Sequence, residues 1–262
     1  MRISLSFAAL LAASALLSVS CTIKEDRSRC KCFTDIVFSP ESVSAYEGRN
    51  ASVSINDGSL QRFDIPVSGE PKLVQLSRTG VVLWCHLPDA VRLGSVTNDE
   101  YRLADGSPCD SLVAGIESFS AEGRETLSQT VNLHKRYAAF SVYFEDGVYE
   151  GWTPVLEYSV SGTSLRDLSP LPGAHTETLL RIGDIARSVL PCCGPDATMT
   201  LSLVPSDPTV PAFTVDVQDV LRGAGYDWSQ ADLDDIRLVL GSGTAEFSVV
   251  PAEWEDGGGL EF

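Results

Sequence analysis

The residue with the clearest chemistry is Cys21, which stands directly behind Val19 and Ser20 at the end of an apolar run. A thiol at that junction can take a thioether-linked lipid and, once the preceding peptide is cut away, begin an acylated mature chain. Arg2 supplies the positive start of such a leader. Leu5 to Val19 form its apolar stretch, interrupted only by Ser6, Ser14 and Ser18. A run of about 15 residues is short for a transmembrane helix, which needs roughly 20. The lipobox is partial, because Ser18 stands where Leu or Val is usual and Leu17 comes one place early. Residues 1–20 are therefore expected to be a lipoprotein signal peptide, with lipidation at Cys21. Ordinary secretory cleavage, leaving Cys21 a plain thiol, is the alternative.

Other reactive side chains form no recognisable constellation. Six further cysteines (Cys30, Cys32, Cys85, Cys109, Cys192, Cys193) permit 15 disulfide pairings in an exported chain. None has zinc-ligand spacing, and the adjacent Cys192 and Cys193 are expected to be buried or reduced, since a vicinal bridge would be strained. The three histidines, His86, His134 and His175, lie far apart with no HExxH, and there is no GxSxG elbow, P-loop or dinucleotide fingerprint. Asp232, Asp234 and Asp235 lack a calcium-loop framework and read as solvated residues. Trp84 reads as core, while Trp152 and Trp254 could offer stacking surfaces to sugars. No catalytic residue, cofactor or metal is expected.

Without Arg2 the mature chain carries 18 basic and 36 acidic side chains, a net charge of −18. Such a surface repels nucleic acid and anionic headgroups. No second apolar stretch approaches spanning length.

The elements that must carry these residues are mostly strands. Val53 and Ile55, then Phe63, Ile65 and Val67, alternate on either side of the hairpin signal Asn56-Asp57-Gly58. The run Val81–Cys85 reads as a strand buried on both faces. Ala138–Phe144, Leu156–Val160, Met199–Leu203 and Phe213–Val217 each alternate with period two, one face in and one face out, as in an antiparallel sandwich. Helix is expected only at Val217–Arg222, closed by Gly223, with a further turn or two over Trp228–Asp235. The polar segment 118–130 shows no strand pattern and is expected to separate two domains, 33–125 and 126–262, behind a tether at 21–32.

Cys21 to Cys32 (CTIKEDRSRCKC) resembles the start of the fimbrillin-A-associated anchor proteins of Bacteroidota, with Cys-Lys-Cys where Cys-Pro-Cys is commoner. Val81–Trp84, Leu133–Val142 with its basic pair, and Phe247–Trp254 resemble internal strands of that family. The resemblance implies two tandem transthyretin-like β-sandwich domains. It also implies a non-catalytic anchor that holds a fimbria on the outer membrane, facing the cell exterior. Such an anchor accepts a strand from the first stalk subunit and influences fibre length. Lys24, Glu25 and Asp26 resemble the family's surface-export tag, and Asp110-Ser111-Leu112 resembles an O-glycosylation motif. The alternatives are a glycan-binding surface lipoprotein of β-sandwich type and a fimbrial tip or accessory adhesin.

Overall fold

A computed structural model of the chain describes residues 30–145, 147–241 and 244–250. The chain enters as strand β1 (Cys32–Phe38) and turns through helix α1 (Pro40–Tyr46). Ser39 caps that helix by accepting from the Ser42 N–H, and Pro40 follows at a position whose N–H would be unbonded anyway. Then come β2 (Asn50–Asn56), β3 (Leu60–Pro66), β4 (Lys72–Leu76) and β5 (Gly80–His86). A short hairpin, β6 (Ser95–Thr97) and β7 (Glu100–Arg102), precedes β8 (Val113–Ser120), β9 (Thr126–Val131) and β10 (His134–Lys135). The second half holds β11 (Tyr137–Phe144), β12 (Thr153–Ser164), β13 (Pro170–Thr178), β14 (Leu180–Ile182), β15 (Ile185–Pro191) and β16 (Met199–Val204). It ends with β17 (Phe213–Asp216), helix α2 (Val217–Gly223), β18 (Asp235–Gly241) and β19 (Thr244–Val250).

The protein is mostly β and its strands pair chiefly antiparallel, as the alternating patterns require. In the first half, β4–β1–β9 forms one sheet and β10–β8–β5–β2–β3 another. They share a core of Ile36, Phe38, Val53, Ile55, Leu76, Leu83 and Val131, all 3% exposed or less. In the second half, β14–β15–β11–β18–β19 packs against β17–β16–β12, to which β13 is added, around Phe140, Val142, Leu156, Leu201 and Leu238. Each fully buried side chain of this size contributes about 1.5–3 kcal/mol relative to exposure. The two parallel pairings, β1 with β9 and β11 with β18, place the same type of crossing in each half.

Several sequence expectations need correction. Segment 118–130 contains the end of β8 and all of β9 but its last residue, and β9 pairs with β1. A cut at 125/126 would therefore separate two strands of the first pair of sheets. The signal was weak because β9 is an outer strand whose Thr126, Ser128 and Thr130 face solvent. In the other direction, β6 and β7 come from the first half but join the sheet of the second through β7 and β12. Strand β5 is not buried on both faces throughout: Val82 is 37% exposed, while Trp84 on the same face is covered. Helix α1 went unrecognised, α2 lies where expected, and 228–229 form only a turn.

Trp84 is covered by a third cluster lying between the two pairs of sheets, with Tyr101, Cys109, Leu112, Leu165 and Val189. Polar links surround it. Asp99 in the β6–β7 turn receives Arg62 from β3 at 2.8 Å and Arg166 from beyond β12 at 3.1 Å. Arg136 donates to the carbonyls of Gln230 and Ala231. Gly162 sits where β7 meets β12, and a Cβ there would lie 2.0 Å from the Tyr101 carbonyl oxygen. Gly162→Ala is expected to destabilise the chain by about 2–3 kcal/mol, because backbone cannot yield as a side chain would. A shift in the urea midpoint of the purified chain checks this.

Candidate functional site

The most distinctive surface lies at the far end of the second pair of sheets, where one run of chain changes sheets. Strand β13 is bonded to β12, and at Leu179 the chain turns inward, its N–H donating to the Pro154 carbonyl at 2.9 Å. The next three residues are bonded to β15 instead. Gly183 and Asp184 close that hairpin, with Gly183 at φ +60, a left-handed conformation that glycine adopts without a Cβ penalty.

Alternation along β14 sends Arg181 inward and Leu180 and Ile182 outward. The Arg181 guanidinium lies 3.8 Å from the Phe144 ring centroid. It donates to the carbonyls of Tyr149 at 2.5 Å, Gly183 at 2.9 Å and Val148 at 3.5 Å. It thereby holds the loop between β11 and β12, whose Tyr149 packs edge-on against Trp152 and stacks with Phe213. Beside this loop opens a hollow of about 610 Å³ lined by Glu150, Trp152, Arg181, Asp184 and three glycines. Because Arg181 is already committed to carbonyls and to Asp184 at 3.8 Å, the hollow presents an indole, the Glu150 carboxylate and the ion-paired Asp184. That set suits stacking and acceptance from hydroxyl groups more than anion binding.

The residues expected to matter from sequence are distributed otherwise. The signal peptide, Cys21, Lys24, Glu25, Asp26 and Trp254 lie outside the described residues. Strand register puts His86 and His134 in one row on either side of Ala114, two strands and so about 10 Å apart. His134 pairs with Asp232 through Nδ1 at 3.0 Å, and burial pushes the His86 pKa down. His175 is buried elsewhere, with Nε2 2.9 Å from the Ser107 carbonyl. The acids after Ala231 are not simply solvated. Asp232 accepts from the Lys135 N–H, and Asp235 accepts from Lys135 Nζ and the Ala139 N–H, fixing the start of β18 against β10 and β11. Asp110, expected as part of a modification motif, is 5% exposed and accepts from the N–H groups of Arg92, Leu93 and Gly94 and from the Tyr101 hydroxyl. Its geometry accounts for that residue as a structural clamp.

All six described cysteines are free thiols, Cys30 exposed and the others buried, Cys192 and Cys193 among them. Among the described residues no group of three or more His, Cys, Asp or Glu side chains is placed to hold a metal ion, and no helix is long and apolar enough to cross a membrane.

Taken as a class, the chain is a mostly β protein of paired antiparallel sheets in sandwich form. No family model matches it, and no curated protein matches it by sequence. Solved structures do share its fold. The fimbrial anchor protein Mfa2 of Porphyromonas gingivalis aligns with a TM-score of 0.59 at 16% identity, over 80% of this chain and 91% of that one. A candidate polysaccharide-binding protein of Bacteroides thetaiotaomicron gives 0.61 at 12% identity, over 86% and 99%. A candidate adhesin of Bacteroides ovatus gives 0.58 at 12% identity, over 91% and 98%. At these identities the likeness is one of fold, and it agrees with the anchor-family resemblance of the sequence.

One buried acid was invisible to sequence reasoning. Glu177 on β13 is 2% exposed and accepts from the Ser188 hydroxyl on β15 at 2.7 Å, bonding one sheet to the other through the core. Burial raises its pKa from 4.5 to about 7, against the lowering effect of Ser188. Burial also raises the neighbouring Tyr158 hydroxyl and Cys109 thiol, so both stay neutral in this range. The folded chain therefore holds a proton that the unfolded chain has lost between pH 4.5 and 7. This group's contribution is full below 4.5 and declines as pH rises through 7, by about 3 kcal/mol in all. Glu177→Gln is expected to abolish that decline, measured as the change in urea midpoint between pH 5 and pH 7.5.

Proposed function

We propose that this chain is a non-catalytic, outer-membrane-anchored surface lipoprotein that holds a fimbria to the cell. The observation that carries the reading is the fold shared with a fimbrial anchor protein over most of both chains. The lipobox-like Cys21 and the Cys-Lys-Cys segment behind it supply what that fold alone does not. In this reading the chain holds two tandem transthyretin-like domains. Lipid on Cys21 secures the protein, and the tag Lys24-Glu25-Asp26 directs it outward. Ten residues lie between Cys21 and the start of β1 at Cys32, eleven Cα steps with a reach of at most about 40 Å. Pull from the fibre would then pass through the buried cluster between the sheet pairs. The first stalk subunit attaches by adding a strand to an open sheet edge, where main-chain hydrogen bonds give strength and alternate side chains give selectivity. Occupying that edge once per fibre would tie fibre length to anchor supply.

A second reading, glycan binding, is favoured by the hollow at Trp152 with its two carboxylates. Intact mass and surface labelling of the protein from native cells, beside a Cys21→Ala variant, separates the two. The anchor reading expects an acylated Cys21 at the surface, co-purification of a fimbrial stalk subunit, and loss of both in the variant. An acylated protein that brings down no fibre favours glycan binding. A mature chain beginning well beyond Cys21 overturns the anchor role in favour of a processed fimbrial subunit.

A further inference from the structure

The outer face of the sheet β14–β15–β11–β18 departs from the usual polar exterior of an antiparallel sandwich. Directly opposed residues share a face, so the register defines a row across four strands: Ile182 beside Ile185, Ile185 beside Tyr143, and Tyr143 beside Val239. At the spacing of paired strands the row runs about 14 Å. Ile182 is 74% exposed and Leu180 67%, the two most exposed large apolar side chains among the described residues. The next row is Leu180, Arg187, Ser141 and Arg237.

Single exposed apolar residues need no explanation, but a contiguous row on one sheet marks an interaction surface. The same face is already used once within the chain: Val189, two residues beyond Arg187, is 1% exposed and closed into the cluster between the sheet pairs. Its charges are informative as well. Arg187 and Arg237 are both exposed, and neither is ion-paired with a described carboxylate. Arg237 lies over the Tyr143 ring at 4.1 Å, which orients its guanidinium across the row. Of the acids that border the face, Asp235 is bound to Lys135, and Asp184 lies 3.8 Å from Arg181. On β19 the register partners of Val239 and Arg237 are Glu246 and Ser248.

We propose that this face docks an acidic protein segment bearing apolar side chains, supplied by a partner chain and oriented by Arg187 and Arg237. Charge decides the occupant. Two exposed arginines that pair with no described carboxylate, on an apolar face of a chain with net charge −17, complement an acidic partner. A second copy fits poorly, because a two-fold pairing would set these arginines against each other and bring together two strongly negative chains. Docking as such is independent of the anchor reading; only the partner's identity rests on it, in which case the segment belongs to the first stalk subunit.

The test places benzoylphenylalanine at Ile182 of the full chain in its native cells, with the same probe at Leu60 on β3 as control. After irradiation the cross-linked peptides are sequenced. The expected adduct at Ile182 joins a net negative peptide with apolar residues from another protein, and falls at least tenfold when Arg187→Glu and Arg237→Glu are combined. Thermal unfolding of the double variant checks that its fold is retained. The proposal is overturned by no adduct above the Leu60 control, by an adduct to a second copy or a basic peptide, or by insensitivity to the charge reversal. If the acidic partner is not a fibre subunit and no fibre co-purifies, the docking face stands and the anchor reading fails. If fibres co-purify while Ile182 yields nothing, the anchor reading stands and the face falls.

Discussion

The architecture hangs on Tyr101. It is fully buried, and its hydroxyl accepts from the Asp110 N–H at 2.8 Å while donating to the Asp110 carboxylate at 3.2 Å. That carboxylate also gathers three successive N–H groups at Arg92–Gly94. A phenol buried without such partners would cost several kcal/mol, so its placement and that of the Asp110 segment determine each other. The hairpin carrying Tyr101 belongs by sequence to the first half but satisfies its backbone on β12. Close approach is needed at both ends of this contact. A Cβ on Gly94 would fall 2.6 Å from the Tyr101 ring, and one on Gly162 would strike the Tyr101 carbonyl. Hinging between the halves would have to expose Trp84, Leu165 and Val189 and break the backbone pairing of β7 with β12, so the junction resists bending by the same means that stabilise a core.

A second constraint follows from the sheet change at Leu179. A strand that serves two sheets must place one residue in the core between them, and Leu179 at 3% exposure does so. With that corner fixed, alternation dictates that Arg181 points inward and its neighbours outward. The inward arginine is tolerable because it lies on the Phe144 ring and bonds to loop carbonyls instead of standing alone as a buried charge. The outward residues could have been polar at no structural cost. Leucine and isoleucine there, beside Ile185 and Tyr143, are the most exposed large apolar side chains among the described residues.

Much of this was legible in sequence where burial follows a single local period. The strands around Phe140, Leu156, Leu201 and Val215 were readable because each has one dry face and one wet face, and Asn56-Asp57-Gly58 turned as its residue types require. What escaped has a common physical cause. Strand β9 has only Leu127 and Val131 as apolar inward residues. Hairpin β6–β7 is three residues a side, too short to show a period, and is specified by its distant partner β12. Asp232 read as a solvated acid, Asp110 as part of a modification motif, and Glu177 drew no reading, because what makes each structural is the donors that meet it from another segment. Period reports faces; it does not report which edges meet. Cys21 and the Lys24–Asp26 segment, in contrast, are defined by order along the chain alone.

That difference bears on how fold and role are connected in this protein. Chains only 12–16% identical to it keep the same fold, so the sandwich constrains which side chains are buried far more than which are displayed. A fold of this kind can serve an anchor, an adhesin or a glycan binder without altering its core. The features that separate those roles must lie where folding leaves residues free, namely the segment before β1, the hollow at Trp152 and the outer face of the β14 sheet. On the anchor reading proposed above, load would have to pass continuously from the segment before β1 to the partner. The packed route available for it runs from β1 through the first core, across Trp84 and Val189, and into β15. Strand β15 also carries Arg187 and Ile185 on the displayed face, so the strand that seals the junction is the one that would reach the proposed docking face.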